Sequence, residues 1–220
     1  MEIVYKAVFF DMDGVLVDTE NFYNRRRSQY LDSIGYEYKG AYDFSGLNDD
    51  VIWQAIVPDN IEVRNRLHKG YDQYRKIHPV DYAALANPDL LITLNRLHSR
   101  GIKIAVASSS YSNMIKNMIK QTEIGEDIDY SISGSECLCH KPAPEIYQRC
   151  MHHLKVLPKE SVVVEDSPTG ISAGIASGAH VVALSQFVSP RCNQSKADEI
   201  IPRLACLTNI FMENNIESIK

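Results

Sequence analysis

The chain has no run approaching the roughly 18 consecutive apolar residues that a membrane-spanning helix requires. Its opening, Met1-Glu2-Ile3, leads almost at once into an apolar segment, without the basic stretch and small-residue cleavage site of a secretory signal. A basic excess is also missing: 23 Lys and Arg stand against 28 Asp and Glu, a net charge of −5. That balance excludes a general nucleic-acid or anionic-membrane surface. The five cysteines are odd in number and lack framework spacing, so reduced thiols in a cytoplasmic protein are expected. Cys137-Leu138-Cys139-His140 has some metal-ligand character, but no second pair stands at the spacing of a structural zinc site. Neither GxGxxG nor GxxxxGK[ST] occurs, which removes the familiar nucleotide loops. Internal repeats and low-complexity tracts are absent. What remains is ordinary globular composition, 45% hydrophobic and 23% charged over 220 residues. That length suits one large domain or one domain carrying an insertion.

Short apolar runs alternate with helical patterns. Tyr5–Phe10, Ile102–Ala107, Tyr130–Ser133, Ser161–Val164 and His180–Leu184 read as buried strands, nearly continuous in apolar character as parallel strands covered on both faces should be. Between them, Asn87 and Pro88 are expected to open a helix whose stripe is Leu90, Leu91, Leu94 and Leu97 and which Gly101 ends. Ser112 would cap a second, with Met114, Ile115, Met118 and Ile119 inward; Ala143–Leu154 and Ser167–Ser177 supply two more. This rhythm implies an α/β doubly wound, Rossmann-like parallel sheet. Gly170, Gly174 and Gly178 recur every four residues, the mark of a helix packed closely on a sheet. One stretch breaks the pattern. Between the first strand and the Asn87 helix lie helical segments only, Asn21–Tyr38, Asp49–Ile56 and Ile61–Ile77, too much chain for a crossover. We therefore expect a core made of residues 1–18 and 83–220 and an inserted helical domain over 19–82.

The most informative segment is Val8-Phe9-Phe10-Asp11-Met12-Asp13-Gly14-Val15-Leu16-Val17-Asp18-Thr19. A buried strand delivers two carboxylates at its C-terminal end, where open α/β sheets place their ligands. The second strand runs into Ser108-Ser109-Ser110, Lys141 precedes Pro142-Ala143-Pro144 at a helix start, and the fourth strand ends in Glu165-Asp166-Ser167. Each has an ordinary structural reading alone, as turn, cap or solvated charge. Together they put Asp, Asp, Ser, Lys, Glu and Asp at one edge of one sheet. Two like charges ~4 Å apart repel by about 4 kcal/mol at an effective dielectric near 20, so such a cluster calls for a cation. Hard oxygen donors suit Mg²⁺, which commonly shares its sphere with a substrate phosphate. A carboxylate can then attack phosphorus, and a second can move the proton.

Asp11-Met12-Asp13-Gly14-Val15-Leu16-Val17-Asp18-Thr19, Ser108, Lys141-Pro142-Ala143-Pro144 and Glu165-Asp166-Ser167-Pro168-Thr169-Gly170-Ile171 resemble, in order and spacing, the four motifs of the haloacid dehalogenase superfamily. The insertion resembles the helical cap of its β-phosphoglucomutase-like branch. The resemblance implies Asp11 as nucleophile and Mg²⁺ ligand, and Asp13 as general acid/base with its backbone carbonyl on the metal. Asp166 would ligate directly, Glu165 directly or through water. Ser108, Ser109 and Lys141 would hold the phosphoryl oxygens. Cap residues expected near the substrate are Glu20, Tyr23, Arg27, the Gly46-Leu47-Asn48-Asp49-Asp50 turn, with Asn48 as a binding residue, and Trp53, which reads most simply as cap core. Asp13 points away from dehalogenation, since haloacid dehalogenases lack that second aspartate. Three departures oppose a mutase: Tyr23 stands where the branch has a cap histidine, acid replaces the arginine after the cap turn, and Tyr111 replaces the lysine after the motif serines. The expectation is a cytoplasmic, monomeric Mg²⁺-dependent phosphatase of a small phosphorylated metabolite, a sugar phosphate, with no nucleic-acid or membrane partner. The alternatives are a phosphosugar mutase and a non-catalytic phospho-acceptor or interaction module.

Overall fold

The computed structural model describes residues 4–40, 44, 49–188 and 192–213, without the side chains of 212 and 213. Strands form where the sequence is continuously apolar: β1 (Ala7–Phe10), β2 (Lys103–Ser108), β3 (Tyr130–Ser133), β4 (Ser161–Glu165) and β5 (His180–Leu184). Every residue of β1 and β4 is buried, as the absence of polar alternation requires of strands covered on both faces. A short edge strand, β6 (Glu199–Ile201), completes a parallel sheet of order β3-β2-β1-β4-β5-β6. Its three residues, one of them charged, carry no pattern that marks a strand. Register decides where the chemistry lies. Phe10 is level with Val106 on one side and Val164 on the other, so Asp11, Ala107 and Glu165 emerge together at the C-terminal edge.

The chain divides into two compact units, Met1–Asp18 with Tyr82–Lys220, and Thr19–Asp81. In the first, four helices follow strands or their approach: α4 (Leu90–His98), α5 (Ser112–Gln121), α6 (Glu145–Leu154) and α7 (Pro168–Ser177), with α8 (Leu207–Glu213) last. α7 starts as its sequence indicates, with the Ser167 side chain accepting from Gly170 N and Gly178 ending it in the left-handed region. Two caps differ from expectation. Asn87 caps no helix: its Oδ1 accepts from Asp89 N, its Nδ2 donates to Val15 O, and α4 begins three residues later. Leu91 is 53% exposed, and Thr93 takes its place on the inward face. Ser112 gives its hydroxyl to Glu136 instead of capping α5, where Ile115 and Met118 are the buried pair.

The second unit holds α1 (Glu20–Ser33), α2 (Asp49–Ile56) and α3 (Ile61–Ile77). Asn60 caps α3 by accepting from Val63 N. Its core is aromatic: Trp53 is fully buried, with ring centroids 5.5 Å from Tyr71 and 6.3 Å from Tyr30. Trp53 is therefore the core residue its sequence context suggests. No helix among the described residues is long and apolar enough to cross a membrane.

Candidate active site

Asp11 continues β1 and is tied to β4 through its amide, which donates to Val164 O at 3.0 Å. Its carboxylate is 11% exposed and meets Lys141 Nζ at 2.5 Å through Oδ1. The same ammonium reaches Glu165 Oε1 at 2.6 Å and the Ala107 carbonyl at 3.0 Å. One lysine thus gathers the ends of β1, β2 and β4. Lys141 is itself buried, which works against its charge, but Asp11 and Glu165 outweigh that and hold the ammonium well above the usual lysine range. For Asp11, burial comes first, and with Glu165 and Asp13 nearby it pushes the carboxyl up to about 8 in spite of Lys141.

Glu165 is the most enclosed acid of the site. It is completely buried. Oε1 accepts from Lys141 and, at 2.6 Å, from the Tyr147 hydroxyl, while Oε2 accepts from Asp166 N at 3.2 Å and Ser167 Oγ at 3.1 Å. These contacts tie it to Lys141, Tyr147 and the start of the loop before α7. Gly170 lets the carboxylate lie there, since a Cβ would overlap it. Asp166, 7% exposed, packs its own carboxylate against Gly14, which sits at φ +79° just beyond Asp13; any side chain there would overlap Asp166.

Ser108 is fully buried, and its Oγ accepts from Ser110 N at 3.0 Å; Ser109 is exposed. Asp13 Oδ2 accepts from Ser110 Oγ at 2.6 Å. The core residues singled out from the sequence therefore gather at the ends of neighbouring strands. The expected cap residues belong to the other unit. Glu20 opens α1 in the other unit, and Gly46, Leu47 and Asn48 lie outside the described residues. Arg27 is 4% exposed and turned to its own unit, 3.4 Å from Asp49 Oδ1, with Arg75 on the other Asp49 oxygen at 3.2 Å.

Among the described residues no three His, Cys, Asp or Glu side chains already surround a common point for a metal ion, at Cys137–His140 or elsewhere. The donors at the sheet edge nevertheless fit Mg²⁺ in kind. Asp11, Asp13 and Asp166 offer hard oxygens. Burial, and after it the neighbouring acids, raise the Asp11 carboxyl, and a dication beside it would oppose that shift.

Two residues of this site escaped the sequence reading. Tyr147 lies on the inward stripe of α6 with Cys150, Met151 and Leu154. A tyrosine on such a stripe needs a partner for its hydroxyl, and that was the available signal. Ser110 had none beyond following a strand end.

Residues 8–184 match the haloacid dehalogenase-like hydrolase family. A phosphorylated carbohydrates phosphatase of Thermotoga maritima is 29% identical over 183 residues, covering 79% of this chain and 82% of the relative. Hexitol phosphatase B of Escherichia coli K12 is 27% identical over 176 residues, covering 77% and 79%. The fold is shared with the crystal structure of a β-phosphoglucomutase from Clostridium difficile, at a TM-score of 0.78 and 22% identity over 99% of this chain and 100% of that one. The chain belongs to the haloacid dehalogenase-like hydrolase family and is an enzyme of it.

Proposed function

We propose that this hydrolase is a Mg²⁺-dependent phosphatase of a small phosphorylated metabolite, a sugar phosphate, working through an aspartyl-phosphate on Asp11. The observation that carries the proposal is the buried Asp11–Lys141–Glu165 array at the end of β1, with Asp13 two residues on. Asp11 attacks phosphorus: its oxygen bonds to the phosphoryl group as the bond to the sugar oxygen breaks. Asp13 gives the leaving oxygen a proton, then takes one from the water that splits the acyl phosphate. Inorganic phosphate and the Asp11 carboxylate are regenerated. Lys141 keeps positive charge beside the reacting carboxylate throughout, because it donates to Glu165, which the Tyr147 hydroxyl also holds. Ser108 and Ser109, on the neighbouring strand end, are the proposed partners of the phosphoryl oxygens, and Glu20 and Asn48 those of the rest of the substrate. Mg²⁺ held by Asp11, the Asp13 carbonyl and Asp166, with Glu165 supporting it directly or through water, would supply charge neutralisation for the phosphoryl group.

Both named curated relatives are phosphatases, one of phosphorylated carbohydrates and one of hexitol, which supports the substrate class. The acid at Asp49 and Asp50 supports hydrolysis over phosphoryl return to a bound sugar phosphate, for a second phosphate needs a cationic grip. The test is phosphate release from a panel of sugar phosphates with Mg²⁺. Wild type should turn over at least one. Asp11→Asn should lose about 10⁴-fold or more in kcat, as loss of a nucleophile does. EDTA should abolish turnover and added Mg²⁺ restore it. Silence across the panel, or an undiminished variant, would sink the proposal. Glucose 6-phosphate appearing from β-glucose 1-phosphate would reveal a mutase instead.

A further inference from the structure

Asp13 must present its carboxyl to two different oxygens in succession, and a misplacement of about 1 Å can cost a hundredfold. The structure holds one of its oxygens through a serine. Ser110 Oγ donates to Asp13 Oδ2 at 2.6 Å, across 97 residues of chain. Ser110 is in turn pinned at both backbone polar groups: its N–H donates to Ser108 Oγ at 3.0 Å, and its carbonyl accepts from Ser133 Oγ at 2.6 Å. Ser133 is 1% exposed and has one hydroxyl proton, given to Ser110. The hydroxyl of Ser135 at 2.8 Å and its N–H at 3.1 Å then donate to Ser133 Oγ, while Ser133 N and Ser112 Oγ both reach Glu136 Oε1. The loop after β2 is thereby fastened to the turn after β3, and the one Ser110 group turned outward from this lattice ends on Asp13.

We infer that Ser110 is a positioning residue for proton transfer by Asp13, backed by Ser133. The inference rests on the phosphatase reading, in which Asp13 is the acid. While Ser110 donates to Oδ2, the transferable proton is carried by Oδ1. That proton passes to the leaving oxygen as the P–O bond breaks, and Oδ1 accepts one from water in the second half.

A leaving-group comparison tests this. The kcat/KM of wild type, Ser110→Ala, Ser110→Thr and Asp13→Asn is measured with Mg²⁺ on a sugar phosphate that wild type hydrolyses and on p-nitrophenyl phosphate, whose phenolate departs without a proton. Ser110→Ala should lose about 10- to 100-fold on the sugar phosphate and under about 3-fold on the aryl ester, a smaller copy of the Asp13→Asn pattern. Ser110→Thr, which keeps the hydroxyl, should recover most of the loss. Equal losses on both esters would make Ser110 a phosphate-binding or merely structural residue and overturn the inference, as would full activity of Ser110→Ala. Should Ser110→Ala fail to fold, Ser133→Ala must show the same ester dependence, more weakly, or the inference falls. A wild type inactive on every ester would instead defeat the phosphatase reading.

Discussion

The two units bury polar groups for opposite ends. In the sheet unit, Asp11, Lys141 and Glu165 are buried ionisable groups facing one another, brought together from segments far apart in sequence. In the helical unit, the buried charges Arg26 and Arg27 are absorbed by the fold. Arg26 donates to the Tyr71 hydroxyl and the His78 carbonyl and lies 5.1 Å from the Phe22 ring; Arg27 lies 5.5 Å from the rings of Phe44 and Tyr71 and meets a single carboxylate, Asp49, at 3.4 Å. A buried cation that meets ring faces and carbonyls is a packing element. One shared by two carboxylates at a sheet edge keeps its charge for chemistry. Burial alone therefore does not mark a functional residue; the kind of partner does.

Three substitutions sharpen that contrast, in falling order of effect. Trp53→Ala should destabilise the protein by about 3–5 kcal/mol, read by urea unfolding with circular dichroism, because it empties the aromatic core without touching a charge. A loss under 1 kcal/mol would mean that the rings do not hold that unit together. Tyr147→Phe removes one hydroxyl from Glu165 and should cost about 1.5–3 kcal/mol in the same assay, the range for a hydrogen bond to a charged group. A neutral result would show that Lys141 suffices for Glu165. Arg75→Ala breaks partly exposed ion pairs to Asp49 and Asp72 and should cost only about 0.2–1 kcal/mol for each. A larger value would give the helical unit an electrostatic core of its own.

The sequence exposed the site's acids because each stands within three residues of a strand end, where apolar runs stop abruptly: Asp11 after Phe10, Glu165 after Val164. Helix patterns were legible for the same local reason, and α2 and α3 begin and end where periodicity places them. What stayed hidden depends on distant chain. Asn87 looks like a cap until Val15, 72 residues away, claims its amide. Glu165 shows its tie to Tyr147 and Lys141 only once the chain is folded. Ser110 acquires meaning only from Asp13 and Ser133. Strand β6 is too short to carry a period. Local patterns specify elements; side-chain partnerships across the sheet are set by register, which no window of sequence displays.

Trp53 has one more consequence. It is the sole tryptophan of the sequence, and it lies wholly within the helical unit. Indole emission from this protein is therefore a private signal of the insertion, while far-ultraviolet dichroism sums over both units. Overlaid denaturation curves from the two probes would show one cooperative melt, and separated curves would give the insertion a midpoint of its own. The aromatic core thus carries a built-in reporter, needing no label, for whether the two halves of the molecule stand or fall together.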